Sequence, residues 1–257
     1  MRVLMSLLRL AVGLVYMAVA VTIFMLVCVL VAPWRGLRIR ACNIFGHITG
    51  RFCLWLAAAE LKNPGECKAR AEQFYPAIYV SNHTSALDIF VGIWLGPLGV
   101  VGVAKKEVVY YPFFGQLYAI SGHLLIDRNN RANAVEALSS LSGLIAKHRL
   151  SVYMWPEGTR SKDGRLRPFK KGFAHLALAT RLPIVPVVVS GAYKAWRKGS
   201  LILEPTSLGI AVLDPIPTTD WTLETLDANI ADVHRRFVEA LPDDQKPLPE
   251  PAPAGMQ

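Results

Sequence analysis

A histidine and an aspartate five residues apart, His83 and Asp88, close a short run that reads Ser81-Asn82-His83-Thr84-Ser85-Ala86-Leu87-Asp88. Five steps along an α-helix turn the chain by about 500°, roughly 140° past one full turn, so the two side chains do not share a helix face. If a helix begins near Ser85, Asp88 falls in its first turn and leans back toward a histidine held in the preceding loop. A carboxylate in that place takes the proton of one ring nitrogen, fixes the tautomer and leaves the other nitrogen as a general base. The same letters also spell Ser85-x-x-Asp88, a helix-capping pattern, and the helix dipole favours an acid in a first turn in any case. On its own, the segment permits a catalytic dyad or a plain helix start.

A second run, Pro156-Glu157-Gly158-Thr159-Arg160-Ser161, follows an apolar stretch and opens a basic loop that continues to Lys171. Gly158 allows an unusual backbone conformation or a close approach to a ligand, and Arg160 offers a planar fork matched to phosphate. Two further charged points stand at the ends of apolar runs. They are Lys105 in Ala104-Lys105-Lys106-Glu107 and the pair Asp127-Arg128 after Gly122-His123-Leu124-Leu125-Ile126.

These groups need a scaffold. Short apolar runs at Ala77–Ser81, Val100–Ala104, Leu124–Asp127, Val152–Trp155 and Ile184–Ser190 read as strands. They alternate with helical patterns at Ala86–Leu95, Arg131–His148 and Gly172–Thr180, with Leu201–Leu203 and Leu208–Leu213 as edge strands and Leu223–Leu241 as a last helix. Such alternation predicts an α/β domain with a mixed, partly parallel sheet flanked by helices. In such sheets ligands gather beyond the carboxyl ends of the strands, where the charged residues above fall. The expected division is an anchor and interfacial helix over residues 1–60, a catalytic domain over 61–241 and a disordered Pro-rich tail over 242–257.

The anchor announces itself by charge. From Ala11 to Trp34 there is no Asp, Glu, Lys, Arg or His, enough for a helix of roughly 36 Å against a hydrocarbon core of about 30 Å. The run is too long for a signal peptide, and Arg35, Arg38 and Arg40 follow it at once, as on the cytoplasmic flank of a membrane helix. It either spans the bilayer or dips in and returns as a helix pair. Beyond it, Ile44, Phe45, Ile48, Phe52, Trp55 and Leu56 recur at helical intervals and suggest an interfacial helix. The net charge of +9 is concentrated between Arg149 and Lys198, where Glu157 and Asp163 are the lone acids. That segment calls for an anionic partner, and beside a membrane anchor a lipid phosphate or an acidic carrier fits better than nucleic acid. Cys28, Cys42, Cys53 and Cys67 are too scattered for a zinc pattern, the histidines form no ligand set, and no metal or cofactor is expected. Nor is there a G-x-S-x-G elbow or a cysteine beside a base, so nothing calls for a covalent acyl-enzyme.

Taken in order, Asn82-His83-x4-Asp88, Gly122-x3-Ile126-Asp127-Arg128, Pro156-Glu157-Gly158-Thr159-Arg160-Ser161 and Val185-Pro186-Val187 resemble the four blocks of the glycerolipid acyltransferases, in particular those that acylate 1-acyl-glycerol-3-phosphate in bacteria. The resemblance runs from about Ala77 to Ser190 and takes in Lys105 and the Pro112–Gly115 turn. It implies His83 as general base and Asp88 as its orienting carboxylate. Arg128, Arg160 and Lys105 would bind the acceptor phosphate, with Glu157, Gly158 and Thr159 in the same substrate-binding block, Glu157 placing the glycerol portion. Val185–Val187 would lie near the acyl or acceptor site. The implied reaction moves a fatty acyl group from acyl-CoA or acyl carrier protein to the sn-2 hydroxyl of lysophosphatidic acid at the cytoplasmic face of the inner membrane, giving phosphatidic acid. Glycerol-3-phosphate or lyso-ornithine lipid is the alternative acceptor, and a noncatalytic membrane-binding protein that kept the fold is the alternative outside enzymology. Two positions depart from the family pattern, Trp155 where Phe is usual and Leu125 where an aromatic is common.

Overall fold

The computed structural model describes residues 1–126 and 141–249. The chain opens with a long helix α1 (Arg2–Leu30) and a second, α2 (Arg35–Leu56), joined by a short turn. There follow β1 (Ala59–Leu61), α3 (Pro64–Gln73), β2 (Ile78–Ser81), α4 (Leu87–Leu95), β3 (Val100–Lys105), α5 (Phe114–Ile120) and β4 (Leu124–Ile126). Past the undescribed stretch come α6, described over 141–148, β5 (Ser151–Met154), α7 (Gly172–Thr180), β6 (Ile184–Ser190), the single turn α8 (Ala192–Ala195), β7 (Thr206–Val212) and α9 (Leu226–Ala240).

Among the described residues the strands form one sheet in the order β1-β7-β6-β2-β5-β3-β4. The five from β6 to β4 are mutually parallel, while β7 runs antiparallel to β6 and carries β1 parallel to itself. The sheet is thus mixed, as the alternation predicted. Its parallel strands are unbroken apolar runs because both faces are covered. Ile78, Val80, Val152 and Met154 pack on one side against Phe173, Leu176 and Phe237 of α7 and α9. On the other side Tyr79, Val185, Val187 and Val189 meet Leu87, Val91 and Leu95 of α4. The pleat sends alternate residues to opposite layers, so each strand serves both cores.

Two expectations change. Leu201–Leu203 is not a strand; its edge place is taken by β1, three residues that belong to the sheet and start at Ala59, ahead of the expected boundary at 61. So short a strand gives too little alternation to be read from sequence. The tail does not leave the domain at 242: Asp243–Gln245 form a 3-10 turn with Gln245 buried, and the Leu166 amide donates to the Gln245 carbonyl at 2.8 Å. Helix α2 turns Ile44, Ile48 and Trp55 outward, the orientation of an interfacial helix. Its buried face holds Asn43, Gly46, Thr49, Gly50 and Cys53. The small residues let α4 come close: a Cβ on Gly50 would stand 2.6 Å from the Phe90 carbonyl oxygen and 2.9 Å from the Trp94 Cβ.

The anchor is a helix pair held against the domain, and α1 is long and apolar enough to cross a membrane. It touches the domain at both ends. Ser6 exchanges hydrogen bonds with the Leu203 backbone at 3.1 and 3.4 Å, and Val21 and Cys28 pack on Leu117 of α5. Arg35 and Arg38 donate to the Gly122 and Ile120 carbonyls, tying the start of α2 to the same corner. Most of the remaining α1 surface is exposed Val, Leu, Ile and Met, and the chain associates with the membrane through this helix.

Candidate active site

Strand β2 is the switch point of the sheet: the chain leaves it toward β3 on one side and returns to place β6 on the other, and β5 fills the gap between β2 and β3. Val80 of β2 pairs in register with Met154 of β5. Three residues beyond each partner stand His83 and Glu157, so the parallel register alone brings the two sequence blocks together. The His83 amide donates to Glu157 Oε1 at 2.7 Å, and the Ser161 amide donates to the His83 carbonyl at 2.9 Å. The loop bearing the histidine is therefore clamped by the Glu157–Ser161 block on both its N–H and its C=O. Asn82, one residue earlier, is clamped from the opposite side, its amide group exchanging two 2.8 Å hydrogen bonds with the Val189 backbone of β6.

Asp88 sits in the first turn of α4 and is fully buried. A single oxygen, Oδ2, accepts from His83 Nδ1 at 3.1 Å, from the Thr84 amide at 2.6 Å and from the Ser85 amide at 2.7 Å. The helix-start contacts and the His83–Asp88 contact coexist in this segment, because one carboxylate oxygen makes them all. With Nδ1 engaged, Nε2 of His83 is left without a partner among the described residues. The ring is 14% exposed, and it stacks on Trp155 with centroids 5.0 Å apart and planes 29° from parallel. Trp155, one of the two departures from the family pattern, is thus the platform beneath the histidine.

The other expected residues divide. Glu157 is 2% exposed, and burial pushes its carboxyl up to about 8 despite the His83 amide on Oε1. Its second oxygen, Oε2, is buried with no hydrogen-bond partner in range among the described residues, although the Arg167 charge and backbone act on the carboxyl from nearby. Gly158 has φ +73, in the region that favours glycine, and a Cβ there would meet the Lys170 side chain at 3.1 Å. Thr159 is exposed and Arg160 half-exposed, its guanidinium unpaired among the described residues. Arg128 lies outside the described residues, as does the side chain of Lys105, whose backbone ends β3. Val185 and Val187 are buried in the core and do not line an open site; β6 reaches the histidine loop through Val189 and Asn82.

Backbone N–H groups beside His83 and at Gly158 are the nearest donors a developing oxyanion could use. Those of Thr84 and Ser85 are taken by Asp88, and that of Gly158 by the Trp155 carbonyl at 3.1 Å. A contributor that the sequence left without a role is the loop after α8. Ser85 Oγ donates to the Trp196 carbonyl at 2.8 Å, and Trp196 Nε1 donates to the Ser200 carbonyl at 2.8 Å. No spacing rule marks such a contact. Among the described residues, no group of His, Cys, Asp and Glu has the makings of a metal site.

A buried carboxylate on one imidazole nitrogen, a free second nitrogen, and an unpaired arginine on the adjoining block suit proton transfer beside an anionic substrate. The chain's similarities agree with that chemistry. Residues 67–190 match the family model described as Acyltransferase. A 1-acyl-sn-glycerol-3-phosphate acyltransferase of Limnanthes douglasii is 46% identical over 87% of this chain and 78% of its own. One of the same name from Salmonella typhimurium is 37% identical over 68% of this chain and 69% of its own. Among solved structures, the 1-acyl-sn-glycerophosphate (LPA) acyltransferase PlsC of Thermotoga maritima superposes with a TM-score of 0.74 at 21% identity, over 93% of this chain and 95% of that one. The fold, the ordered blocks and these identities together show that the chain belongs to the acyltransferase family whose members are named 1-acyl-sn-glycerol-3-phosphate acyltransferases.

Proposed function

We propose that this enzyme transfers a fatty acyl group from a thioester, acyl-CoA or acyl carrier protein, to the sn-2 hydroxyl of lysophosphatidic acid and so forms phosphatidic acid. The observation that carries the reading is the Asp88 Oδ2 contact to His83 Nδ1, which leaves Nε2 as the base. Nε2 takes the hydroxyl proton as that oxygen attacks the thioester carbonyl carbon. A C–O bond forms, the C–S bond breaks, and the imidazolium returns the proton to the departing thiolate. Asp88 holds the tautomer and stabilises the transient imidazolium. Arg160, with Arg128 and Lys105, binds the acceptor phosphate as a charge-assisted clamp. Glu157 acts chiefly by fixing the His83 loop, and through that loop it helps place the glycerol portion. No cofactor takes part.

The same reading puts the protein on the cytoplasmic side of the inner membrane, and because α1 meets the domain near both ends, the α1–α2 pair dips into that leaflet and returns. The lysolipid chain stays in the bilayer while its head reaches His83, and the thioester arrives from water. The test is transfer of labelled acyl groups to lysophosphatidic acid by the detergent-solubilised protein beside His83→Ala, with glycerol-3-phosphate and lyso-ornithine lipid as parallel acceptors. Product from lysophosphatidic acid that disappears in the variant is expected. Product from another acceptor alone would move the substrate assignment, and undiminished transfer by the variant would remove His83 from the chemistry.

A further inference from the structure

Between the N-terminal part of α1, the C-terminal part of α2 and the edge strand β1 lies an open cleft of about 1050 Å³. Its walls are largely apolar, with Ile48, Phe52 and Trp55 from α2. Into it come two arginines from different helices, Arg9 of α1 and Arg51 of α2. Glu60 borders the cleft from β1, yet no ion pair joins it to either guanidinium among the described residues. The cleft is separate from the histidine site. Its lining includes nothing from the His83–Asp88 or Glu157–Ser161 blocks, and β7 and β6 stand between β1 and β2 in the sheet.

Unpaired guanidinium groups are costly on a face that meets a bilayer, because arginine keeps its charge and lipid tails cannot solvate it. The neighbouring surface is such a face: Ile48 is 63% exposed and Trp55 70% exposed. A tryptophan beside arginines marks headgroup depth, where phosphates lie within reach. The arginine fork fits a phosphate, and the volume exceeds what a bare anion fills. We propose that this cleft holds an anionic phospholipid of the bilayer, its phosphate between Arg9 and Arg51 and its chains over Ile48, Phe52 and Trp55. The lipid is a resident one, distinct from the molecule being acylated. The inference rests on membrane association and not on the catalytic assignment.

The test is native mass spectrometry of the full-length protein in detergent, offered equal amounts of phosphatidylglycerol and phosphatidylcholine. The wild type should retain phosphatidylglycerol with a preference of about tenfold, because both lipids offer the phosphate but phosphatidylcholine adds a choline cation that the two guanidinium groups repel. Arg9→Gln with Arg51→Gln should lower that ratio to about one. Arg2→Gln with Arg40→Gln, which removes the same charge outside the cleft, should preserve it, and so should His83→Ala. No preference in the wild type, a preference that survives loss of Arg9 and Arg51, or equal loss in the Arg2 and Arg40 control would overturn the proposal. Failure of the acyl-transfer assay alone would leave these outcomes unaffected.

Discussion

Replacing Asp88 separates the two tasks of its Oδ2 atom. Asp88→Ala leaves the Thr84 and Ser85 amides, which that oxygen accepts at 2.6 and 2.7 Å, without a partner in a buried loop. At about 1–3 kcal/mol for each orphaned amide, the loss is about 2–6 kcal/mol, a large part of a typical stability of about 5–15 kcal/mol. Asp88→Asn keeps a neutral oxygen for both amides and gives up the charge assistance, costing about 1–2 kcal/mol. Chemistry should respond in the reverse proportion. An amide neither fixes the imidazole tautomer as a carboxylate does nor stabilises the imidazolium, so acyl transfer by Asp88→Asn should fall by about 10³–10⁴, or about 4–5.5 kcal/mol of barrier. Thermal unfolding and labelled acyl transfer on the same preparations give both quantities. A folded Asp88→Asn protein within tenfold of wild-type activity would refute the dyad and leave Asp88 a helix cap.

Three further outcomes follow from the geometry. Burial lifts the Glu157 carboxyl from an ordinary 4.5 to about 8, so the folded chain keeps a proton that the unfolded chain releases. Stability should then fall as pH rises from about 4.5 to about 8, and Glu157→Gln should flatten that slope by a few kcal/mol at most; equal slopes in denaturant titrations would contradict it. Gly50→Ala should cost about 1–3 kcal/mol by forcing α2 off the Phe90 carbonyl, whereas Gly65→Ala, with nothing within 4 Å, should be neutral or mildly stabilising in the same melts. Ending the chain at Leu241 removes the Gln245 carbonyl that accepts the Leu166 amide, the Lys246 carbonyl that accepts Arg165, and the Asp244 partner of Lys194. Because these hold the loop that follows Arg160, KM for the lysolipid should rise several-fold, while a chain ending at Pro249 should match the full one.

The parallel strands were legible because each is a short apolar run closed by polar residues, and burial on both faces leaves little else for such a run to be. The His83–Asp88 geometry was legible for a different reason: helix pitch forbids a shared face, so the histidine had to stand in the loop. What the sequence withheld are contacts that depend on register. That Glu157 accepts from the His83 amide follows from the pairing of Val80 with Met154, and no local pattern states which strands are neighbours. The exposed face of α2 was legible from the helical intervals of Ile44, Ile48 and Trp55, whereas the close packing of Gly46 and Gly50 on α4 depends on a neighbour no local pattern names.

That packing bears on how the two halves of the molecule work together. Helix α2 packs Gly46 and Gly50 on α4 and leaves Ile44, Ile48 and Trp55 facing outward. The join to the chemistry is short. Ser6 of α1 is hydrogen-bonded to Leu203, the Leu203 loop begins at Trp196, and the Trp196 carbonyl accepts from Ser85, two residues from His83. The N-terminal end of the membrane helix is therefore fixed relative to the histidine through backbone contacts in one loop. A rigid link of this kind sets the depth of Nε2 relative to the lipid surface. An enzyme whose acceptor stays in the bilayer needs that distance held, since a lysolipid raised out of the membrane gives up about 0.8 kcal/mol for every CH₂ exposed.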